Sequence, residues 1–286
     1  MTFSVVTPVR NGMPHLRRCV GSVRGQTGAV VQHLVQDAMS TDGSSEWLAA
    51  QPGLAVITER DGGMYDAVNR GWTRSEGDIL SWLNADEQYL PGALAAVADA
   101  FRARPDVDIV FGDALIVDPT GSLIAARREV PLRRAYVAGS FLYSLSCTMF
   151  FRRSLLEAGE LVFNPARRVA GDIELVLSLL QKRRKAHHLT RYLALFAIDG
   201  GNLSLSPEGR QERDEIKVHT VGTAAGVAGA AARRIEKVLR GCYRRLPVEY
   251  DWTEDERPTY RRFSYDHAPT RFEWARPGAG QLLPGA

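Results

Sequence analysis

Short apolar runs alternate with segments of helical apolar spacing through the first 118 residues. The runs FSVVTPV, VVQHLVQD, LAVITE, DILSWLNAD and VDIVFGDALIVD are typical of strands. Between them lie PHLRRCVGSVRGQ, SSEWLAAQ, MYDAVNRGWTRS and PGALAAVADAFRA, with helical spacing. We expect Ser44 to cap the second helix and Pro91 to open the fourth. This alternation predicts an α/β fold, a mostly parallel sheet with helices on both faces.

The pattern is less regular after residue 118. DPTGSLIA predicts a hairpin turn, AGDIELVLSLLQKRRK a helix, and YLALFAIDGGNLS a strand that runs into a glycine turn. Beyond about residue 206 the chain is rich in Ala, Arg and Glu, and after Pro247 it is aromatic and Pro-rich. We therefore expect one domain over residues 1–206, with halves 1–118 and 119–206, and a C-terminal helical extension and tail over 207–286.

Composition restricts the class of protein. A hydrophobic fraction of 45% and a charged fraction of 24% are ordinary for a soluble globular chain. The net charge of +3 does not suggest a nucleic-acid partner. Three widely separated cysteines fit a reducing cytoplasm, and the first residues do not form a signal peptide. The charge-free stretch YVAGSFLYSLSCTMFF, 16 residues long, is too short and too polar for a membrane span.

Polar residues follow the predicted strands. In open α/β sheets, ligands bind beyond the carboxyl ends of the strands. Any one of these polar residues could belong to a solvated turn, but together they favour a binding site. There is no dinucleotide-binding GxGxxG after the first strand and no P-loop sequence. The residues at the strand ends are Thr7 to Asn11, Asp37, Glu59, Asp86 and Glu87.

Six motifs identify a family. TPVRN, DAMSTDGS, ERDGGMYDAVNRG, WLNADE, AGDIELVLSL and DGGNLS stand in the order found in family 2 glycosyltransferases. The resemblance covers roughly residues 3–206, and ERDGGMYDAVNRG resembles the subgroup that builds bacterial polysaccharides and related glycans. It implies the GT-A fold, a Rossmann-like, mixed, mostly parallel sheet flanked by helices. It also implies inverting transfer of a sugar from a nucleotide-diphosphate donor to a hydroxyl of a glycan, lipid-linked or small-molecule acceptor.

The resemblance also assigns a metal. Asn84, Ala85 and Asp86 occupy the DxD position of the family, with asparagine in place of the first acid. Asp86 is then the expected ligand of Mn²⁺ or Mg²⁺ on the donor diphosphate, since hard cations take carboxylate and phosphate oxygens. Without the first acid we expect weak, donor-dependent metal binding, for which Glu87 could compensate.

The donor nucleotide follows from the same motifs, which place residues 1–118 as the nucleotide-binding half and 119–206 as the acceptor half. Asp37 matches the acid that accepts a hydrogen bond from the base, which leaves UDP, dTDP and GDP open. Arg70 could supply charge to a phosphate or be a solvated helix arginine. Ser40 and Asp42 could be site residues or turn formers, and Met39 is expected to narrow the pocket. The expected nucleotide-binding residues are Thr7, Pro8, Asn11, Asp37, Asp61, Arg70, Asn84 and Ala85.

The catalytic base is expected on the acceptor side. Asp172 in AGDIEL matches the acid of the family's second motif, although an aspartate there could also be a helix cap, and Glu174 competes with it. The glycines of DGGNLS are expected to close over the diphosphate. The alternative is a non-catalytic nucleotide-sugar-binding or scaffolding protein on the same fold. A nucleotidyltransferase or a nucleotide-sugar hydrolase would share the architecture.

The C-terminal segment ARRIEKVLRGCYRRL is a basic amphipathic helix by its pattern. Its apolar positions are Ile235, Val238, Leu239, Cys242 and Leu246. Such a helix could lie on the anionic inner face of a membrane. It could instead pack its apolar side on the domain or on the second subunit of a homodimer, with its basic side in solvent.

Overall fold

A computed structural model of the chain describes residues 1–139, 142–198, 206–220 and 223–271. The strands are β1 (Thr2–Val9), β2 (Val30–Asp37), β3 (Ala55–Thr58), β4 (Ile79–Trp82), β5 (Glu87–Tyr89), β6 (Ile109–Val117), β7 (Leu123–Arg127), β8 (Met149–Arg152), β9 (Ala186–Ala197), β10 (Val248–Thr253) and β11 (Tyr260–Tyr265). The helices are α1 (His15–Arg24), α2 (Ser44–Ala49), α3 (Met64–Thr73), α4 (Ala93–Ala103), α5 (Arg134–Gly139), α6 (Arg153–Glu157), α7 (Gly171–Gln181), α8 (Pro207–Thr220) and α9 (Thr223–Leu239), with a short 3-10 helix at Ser146–Thr148.

The main sheet of the described residues has the order β3-β2-β1-β4-β8-β6-β9-β5, and β7 pairs with β6. Strands β3, β2, β1 and β4 are parallel, as are β6 and β9. Strands β8, β5 and β7 run antiparallel to their neighbours. The predicted mixed, mostly parallel sheet flanked by helices is confirmed.

The sheet is strongly curled. Strand β5 lies four places from β4 in the order, a separation of roughly 19 Å in a flat sheet. Yet a tight turn joins them, in which Glu87 N–H donates to Asn84 O at 3.0 Å. The backbone N–H of Tyr89 in β5 also reaches Ser22 Oγ in α1, at 3.1 Å. The curl therefore brings β5 back beneath the helix that covers β1.

Two helix starts differ from the sequence prediction. Ser44 is the first residue of α2, and Gly43 precedes it with a φ of 92°, so the prediction that Ser44 caps this helix was wrong. Instead Asp42 Oδ1 accepts the N–H of Ser44 at 3.0 Å. Helix α4 begins at Ala93, two residues after Pro91. Neither change moves a strand end.

An aromatic cluster ties the segment before α7 to α3. The ring of Phe163 stacks on Trp72 at 5.1 Å and meets Trp82 edge-on at 5.1 Å. The side chain of Asn69 accepts the N–H of Phe163 at 2.8 Å and donates to its carbonyl at 2.9 Å. These contacts fix the chain that leads into α7.

The C-terminal region contains the expected helices α8 and α9 and, in addition, an antiparallel hairpin of β10 and β11. Val248, Tyr250 and Trp252 alternate along β10 and are buried in one cluster with side chains of β6 and β9. The predicted glycine turn at 199–204 and residues 272–286 of the predicted tail lie outside the described residues. The domain boundary at residue 206 stays a prediction.

Candidate active site

The carboxyl ends of β1, β2, β3 and β4 meet at one edge of the sheet. Ala38 N–H donates to Val9 O at 2.9 Å, and Glu59 N–H donates to Asp37 O at 3.0 Å. The loops that carry the predicted donor-site residues leave the sheet side by side there. This edge is where an open α/β sheet binds its ligand.

Hydrogen bonds join the loop after β1 to the loop after β2. Asn11 donates its N–H to Ser40 Oγ at 2.8 Å, and Asn11 Oδ1 accepts the N–H of Thr41 at 2.8 Å. Asp42 Oδ2 accepts the N–H of Met13 at 2.9 Å. Asn11 has a φ of 55°, a conformation that asparagine tolerates better than most residues. Asn11 thus braces the rim of the site, and so do Ser40 and Asp42.

Three of the predicted nucleotide-binding residues are buried below this rim. Asp37 is fully buried, and its carboxylate accepts hydrogen bonds from Ser40 Oγ at 2.6 Å and from Ser45 Oγ. Thr7 Oγ1 lies 2.9 Å from Nε2 of His33, inside the sheet. Pro8 is buried in β1. The structure therefore places Thr7, Pro8 and Asp37 under the loops, while Met39 stands exposed above them.

The loop after β3 carries charged residues that pair with one another. Arg70 binds Glu59 Oε1 at 3.0 Å and Asp66 Oδ2 at 2.8 Å. Asp61 accepts the N–H of Gly63 at 3.0 Å, and burial raises the pKa of Asp61 above its usual value. Arg10, exposed after β1, lies near enough to oppose that shift. Arg10 falls within the strand-end range Thr7 to Asn11 and the TPVRN motif, but it was not among the predicted nucleotide-binding residues.

The turn after β4 is held from inside by Glu87. Glu87 Oε2 accepts the N–H of Asn84 at 2.8 Å, and the Glu87 side chain is buried. Burial, reinforced by the charge of Asp86, raises the pKa of Glu87 to about 8. Asp86 is only partly buried, and Ala85 packs beside Val9. Glu87 therefore faces the core, whereas Asp86 remains near the surface of the site.

The oxygen atoms of this turn are of the kind that share a divalent cation with a bound phosphate. No group of three acidic, histidine or cysteine side chains able to hold a metal exists among the described residues. However, Asn84 Oδ1 is buried without a hydrogen-bond partner, and Asp86 follows two residues later in the same turn. Mg²⁺ is commonly held by one or two carboxylates together with substrate phosphates and water. The hard oxygen atoms of Asp86 and Asn84 match that demand.

Asp172 is held at the start of α7 from two sides. Its Oδ1 accepts the N–H of Ile173 at 2.9 Å and lies 3.4 Å from the hydroxyl of Tyr65 in α3. Burial raises the pKa of Asp172 to about 6. Asp172 is the second residue of α7, after Gly171, and Ala170 occupies the cap position. The competing Glu174 is engaged by Arg167 at 2.8 Å.

Gly171 allows Tyr65 to reach Asp172. A Cβ on Gly171 would lie 2.8 Å from the Tyr65 ring. The tyrosine hydroxyl also donates to Val169 O at 2.8 Å. Tyr65 is the second residue of α3, the helix that follows the Gly62–Gly63 loop. Its contacts therefore join the predicted nucleotide-binding half to the predicted acceptor half.

Glu212 in α8 holds the loop before α7. Its carboxylate accepts the N–H groups of Arg168 at 2.8 Å, Val169 at 3.0 Å and Ala170 at 2.8 Å. Burial alone would raise the pKa of Glu212, but these three donors bring it below the usual value. No local sequence signal marks this residue, because its partners are more than forty positions away.

The fold and this edge define a glycosyltransferase of the GT-A class. The chain belongs to glycosyl transferase family 2, whose profile matches residues 4–159. The resemblance seen in the sequence is thereby confirmed.

Similar proteins include bacterial glycosyltransferases. An uncharacterized glycosyltransferase of Mycobacterium tuberculosis is 30% identical over 183 residues, which is 62% of this chain and 68% of the relative. A PGL/p-HBAD biosynthesis glycosyltransferase of Mycobacterium bovis is 32% identical over 120 residues, 40% of this chain and 47% of the relative.

Two solved structures share the fold. S. aureus TarS 1-349 in complex with UDP-GlcNAc has a TM-score of 0.60 at 18% identity, over 82% of this chain and 73% of that one. Mannosyltransferase PcManGT from Pyrobaculum calidifontis, in complex with GDP-Man and Mn²⁺, has a TM-score of 0.52 at 19% identity, over 83% of this chain and 75% of that one.

Proposed function

We propose that this protein is an inverting glycosyltransferase that moves a sugar from a nucleotide-diphosphate donor to a hydroxyl of a glycan, lipid-linked or small-molecule acceptor. The observation that carries the proposal is the carboxylate of Asp172, with a pKa of about 6, fixed beside Tyr65. A general base works best when its pKa lies near the working pH. We further propose that the reaction takes place in the cytoplasm, where the donor is available.

The donor is proposed to bind over the loops after β1, β2 and β3. Asp37 holds the turn after β2 through Ser40 and Ser45, so that the turn, with Met39 at its tip, faces the base. A direct contact between Asp37 and the base needs a shift of one of these serines. The nucleotide complexes of the two structural neighbours, with UDP-GlcNAc and GDP-Man, support a nucleotide-sugar donor.

The phosphates are proposed to lie between the loop of Asp61 and the turn of Asp86. Arg10 and Arg60 are exposed cations at this edge, whereas Arg70 already pairs with Glu59 and Asp66. Asp86 and Asn84 would hold Mn²⁺ or Mg²⁺. When bound, the ion supplies positive charge to the departing diphosphate.

The proposed reaction is a single displacement. Asp172 takes the proton of the acceptor hydroxyl while that oxygen bonds to the anomeric carbon of the donor sugar. The bond from this carbon to the diphosphate breaks, and the nucleoside diphosphate leaves with the electron pair. Attack on the face opposite the leaving group inverts the anomeric centre. Asp172 then returns its proton to water.

The test is release of nucleoside diphosphate from UDP-, dTDP- and GDP-sugars, measured with a panel of hydroxyl acceptors. We expect wild type and Glu174→Gln to release product from one donor class, and Asp172→Asn to lose about 10²-fold to 10⁴-fold in rate. Equal rates for Asp172→Asn and wild type would refute the assignment of the base. Nucleotide binding without release for every acceptor would favour the non-catalytic alternative.

A further inference from the structure

Helix α9 buries charged side chains against the domain and exposes its aliphatic side chains, the reverse of what its sequence pattern suggests. Arg233 and Lys237 are buried, at 8% and 7% exposure, and face the carboxylate of Glu129. The Nζ of Lys237 lies 3.0 Å from Glu129 Oε2. Ile235 and Leu239, expected to pack inward, are instead 60% and 81% exposed. Of the alternatives left open for this segment, packing of the apolar side on the domain does not hold for Ile235 and Leu239, although Cys242 beyond the helix is buried.

The side of α9 that faces the domain makes its contacts through glycines and charged side chains. A Cβ on Gly229 would lie 2.1 Å from Ala135 O, and one on Gly139 would lie 2.1 Å from Gly226 O. The backbones of α5 and α9 therefore cross in direct contact. Near this crossing, Glu236 accepts a hydrogen bond from the Tyr136 hydroxyl at 2.8 Å. Packing of α9 on the domain thus makes no use of its large aliphatic side chains.

These aliphatic side chains form one outer stripe. Val227, Ile235, Val238 and Leu239 recur at helical spacing and are 60 to 81% exposed. Among the described residues, no helix is long and apolar enough to cross a bilayer. The outer stripe is therefore a surface feature, and an exposed row of large aliphatic side chains marks an interaction site.

Exposed arginines lie in α9 and just beyond its C-terminal end, and we call them the basic rim. Arg234, Arg244 and Arg245 are exposed and make no ion pair with any residue that the structure describes. Arg240 is exposed as well and pairs with Glu236. Glu236 is the acidic residue of α9, and its carboxylate faces Tyr136 of α5. A second copy of this chain docked on the outer stripe about a two-fold axis would bring like charges together. A surface of anionic phosphates instead complements this rim.

We propose that the outer stripe docks on the surface of a lipid bilayer that contains anionic lipid. The aliphatic side chains enter the boundary between head groups and acyl chains, and the arginines of the rim contact lipid phosphates. This inference rests on α9 and the residues that directly follow it, and it does not depend on the proposed transferase activity.

The experiment is sedimentation of the full chain with vesicles of phosphatidylcholine alone or mixed with phosphatidylglycerol. We expect binding to the mixed vesicles that weakens as salt is raised. Leu239→Glu should lower the partition coefficient at least about tenfold, since one buried leucine contributes that much. Arg234→Gln combined with Arg245→Gln should lower it about 30-fold, because each basic residue near an anionic surface contributes about 1 kcal/mol.

The matched control is Val30→Glu, which places the same charge on another exposed aliphatic residue, at 67% exposure and far along the chain from α9. It should bind vesicles like wild type. Thermal unfolding of each variant tests whether α9 remains folded on the domain. Absence of binding to mixed vesicles, or equal binding of Leu239→Glu and wild type, would overturn the proposal. A dimer in solution that Leu239→Glu dissociates, without vesicle binding, would assign the outer stripe to a second copy.

Discussion

The hydroxyl of Tyr65 lies 3.4 Å from Oδ1 of Asp172 and donates to Val169 O at 2.8 Å. One phenol from α3 thus touches both the proposed catalytic carboxylate and the backbone of the loop that precedes it. The ring itself packs on Phe163, with centroids 4.5 Å apart.

Replacing Tyr65 by phenylalanine separates the two contributions of this side chain. Tyr65→Phe keeps the ring and removes the hydroxyl, so we expect a loss of about 1 kcal/mol in the free energy of unfolding. Loss of orientation at Asp172 should lower kcat about tenfold, with the KM for the donor unchanged. Steady-state kinetics and denaturant unfolding measure both. An unchanged kcat would mean that Tyr65 supports the fold alone.

The pKa of about 6 for Asp172 predicts a pH profile. The base acts when deprotonated, so kcat/KM should rise through about pH 6 and level off above it. The folded pKa lies above the usual 3.8, so ionising Asp172 disfavours the folded state and stability falls as pH rises from about 4 to about 6. Asp172→Asn should therefore melt no lower than wild type at pH 7. A kcat/KM that stays level down to pH 5 contradicts the assignment.

Removal of Asp86 tests the metal site through nucleotide binding. UDP, dTDP or GDP should raise the melting temperature of wild type, and raise it further with Mn²⁺, because a ligand that binds only the folded state stabilises it. Asp86→Ala should lose the metal-dependent part and keep the rest. Asp99→Ala, an exposed acid on α4, is the control and should behave like wild type. Equal metal effects in all three proteins would rule out Asp86 as a ligand.

Replacement of Glu212 tests whether α8 positions the catalytic loop. Glu212→Gln removes a charged acceptor of three backbone N–H groups, and should lower stability by about 1.5 to 3 kcal/mol. We also expect a lower kcat at an unchanged KM for the donor, measured well below the melting temperature. The same change at Glu208, exposed in the same helix, should leave both quantities unchanged. A stability loss without a change in kcat would make Glu212 purely structural.

Much of the fold follows from local pattern. The apolar runs give β1, β2 and β6 nearly to the residue, because β1, β6 and the second half of β2 are buried on both faces. The β10–β11 hairpin was missed, although Val248, Tyr250 and Trp252 alternate with polar residues. Arginines in its second strand obscure the period there.

The candidate site was predictable only where a motif carries it. Asp172 and Asp86 stand in family motifs, and the structure places Asp172 beside Tyr65 and leaves Asp86 partly exposed in the turn after β4. Burial of Asp37 and the inward turn of Lys237 depend on contacts between distant segments. Periodicity assigns a side to a helix, but it cannot tell which side faces the domain when glycines and an ion pair replace apolar packing.

The turn between β4 and β5 has no spare residues. Residues 83–86 close the curl of the sheet, since β4 pairs with β1 while β5 pairs with β9. One inserted residue here would have to break one of these pairings or displace Asp86. The hairpin loop between β6 and β7 at residues 118–122 is held in another way, because Tyr250 of β10 donates its hydroxyl hydrogen to Gly121 O at 2.6 Å. Variation at the turn between β4 and β5 should therefore occur by substitution and not by change of length.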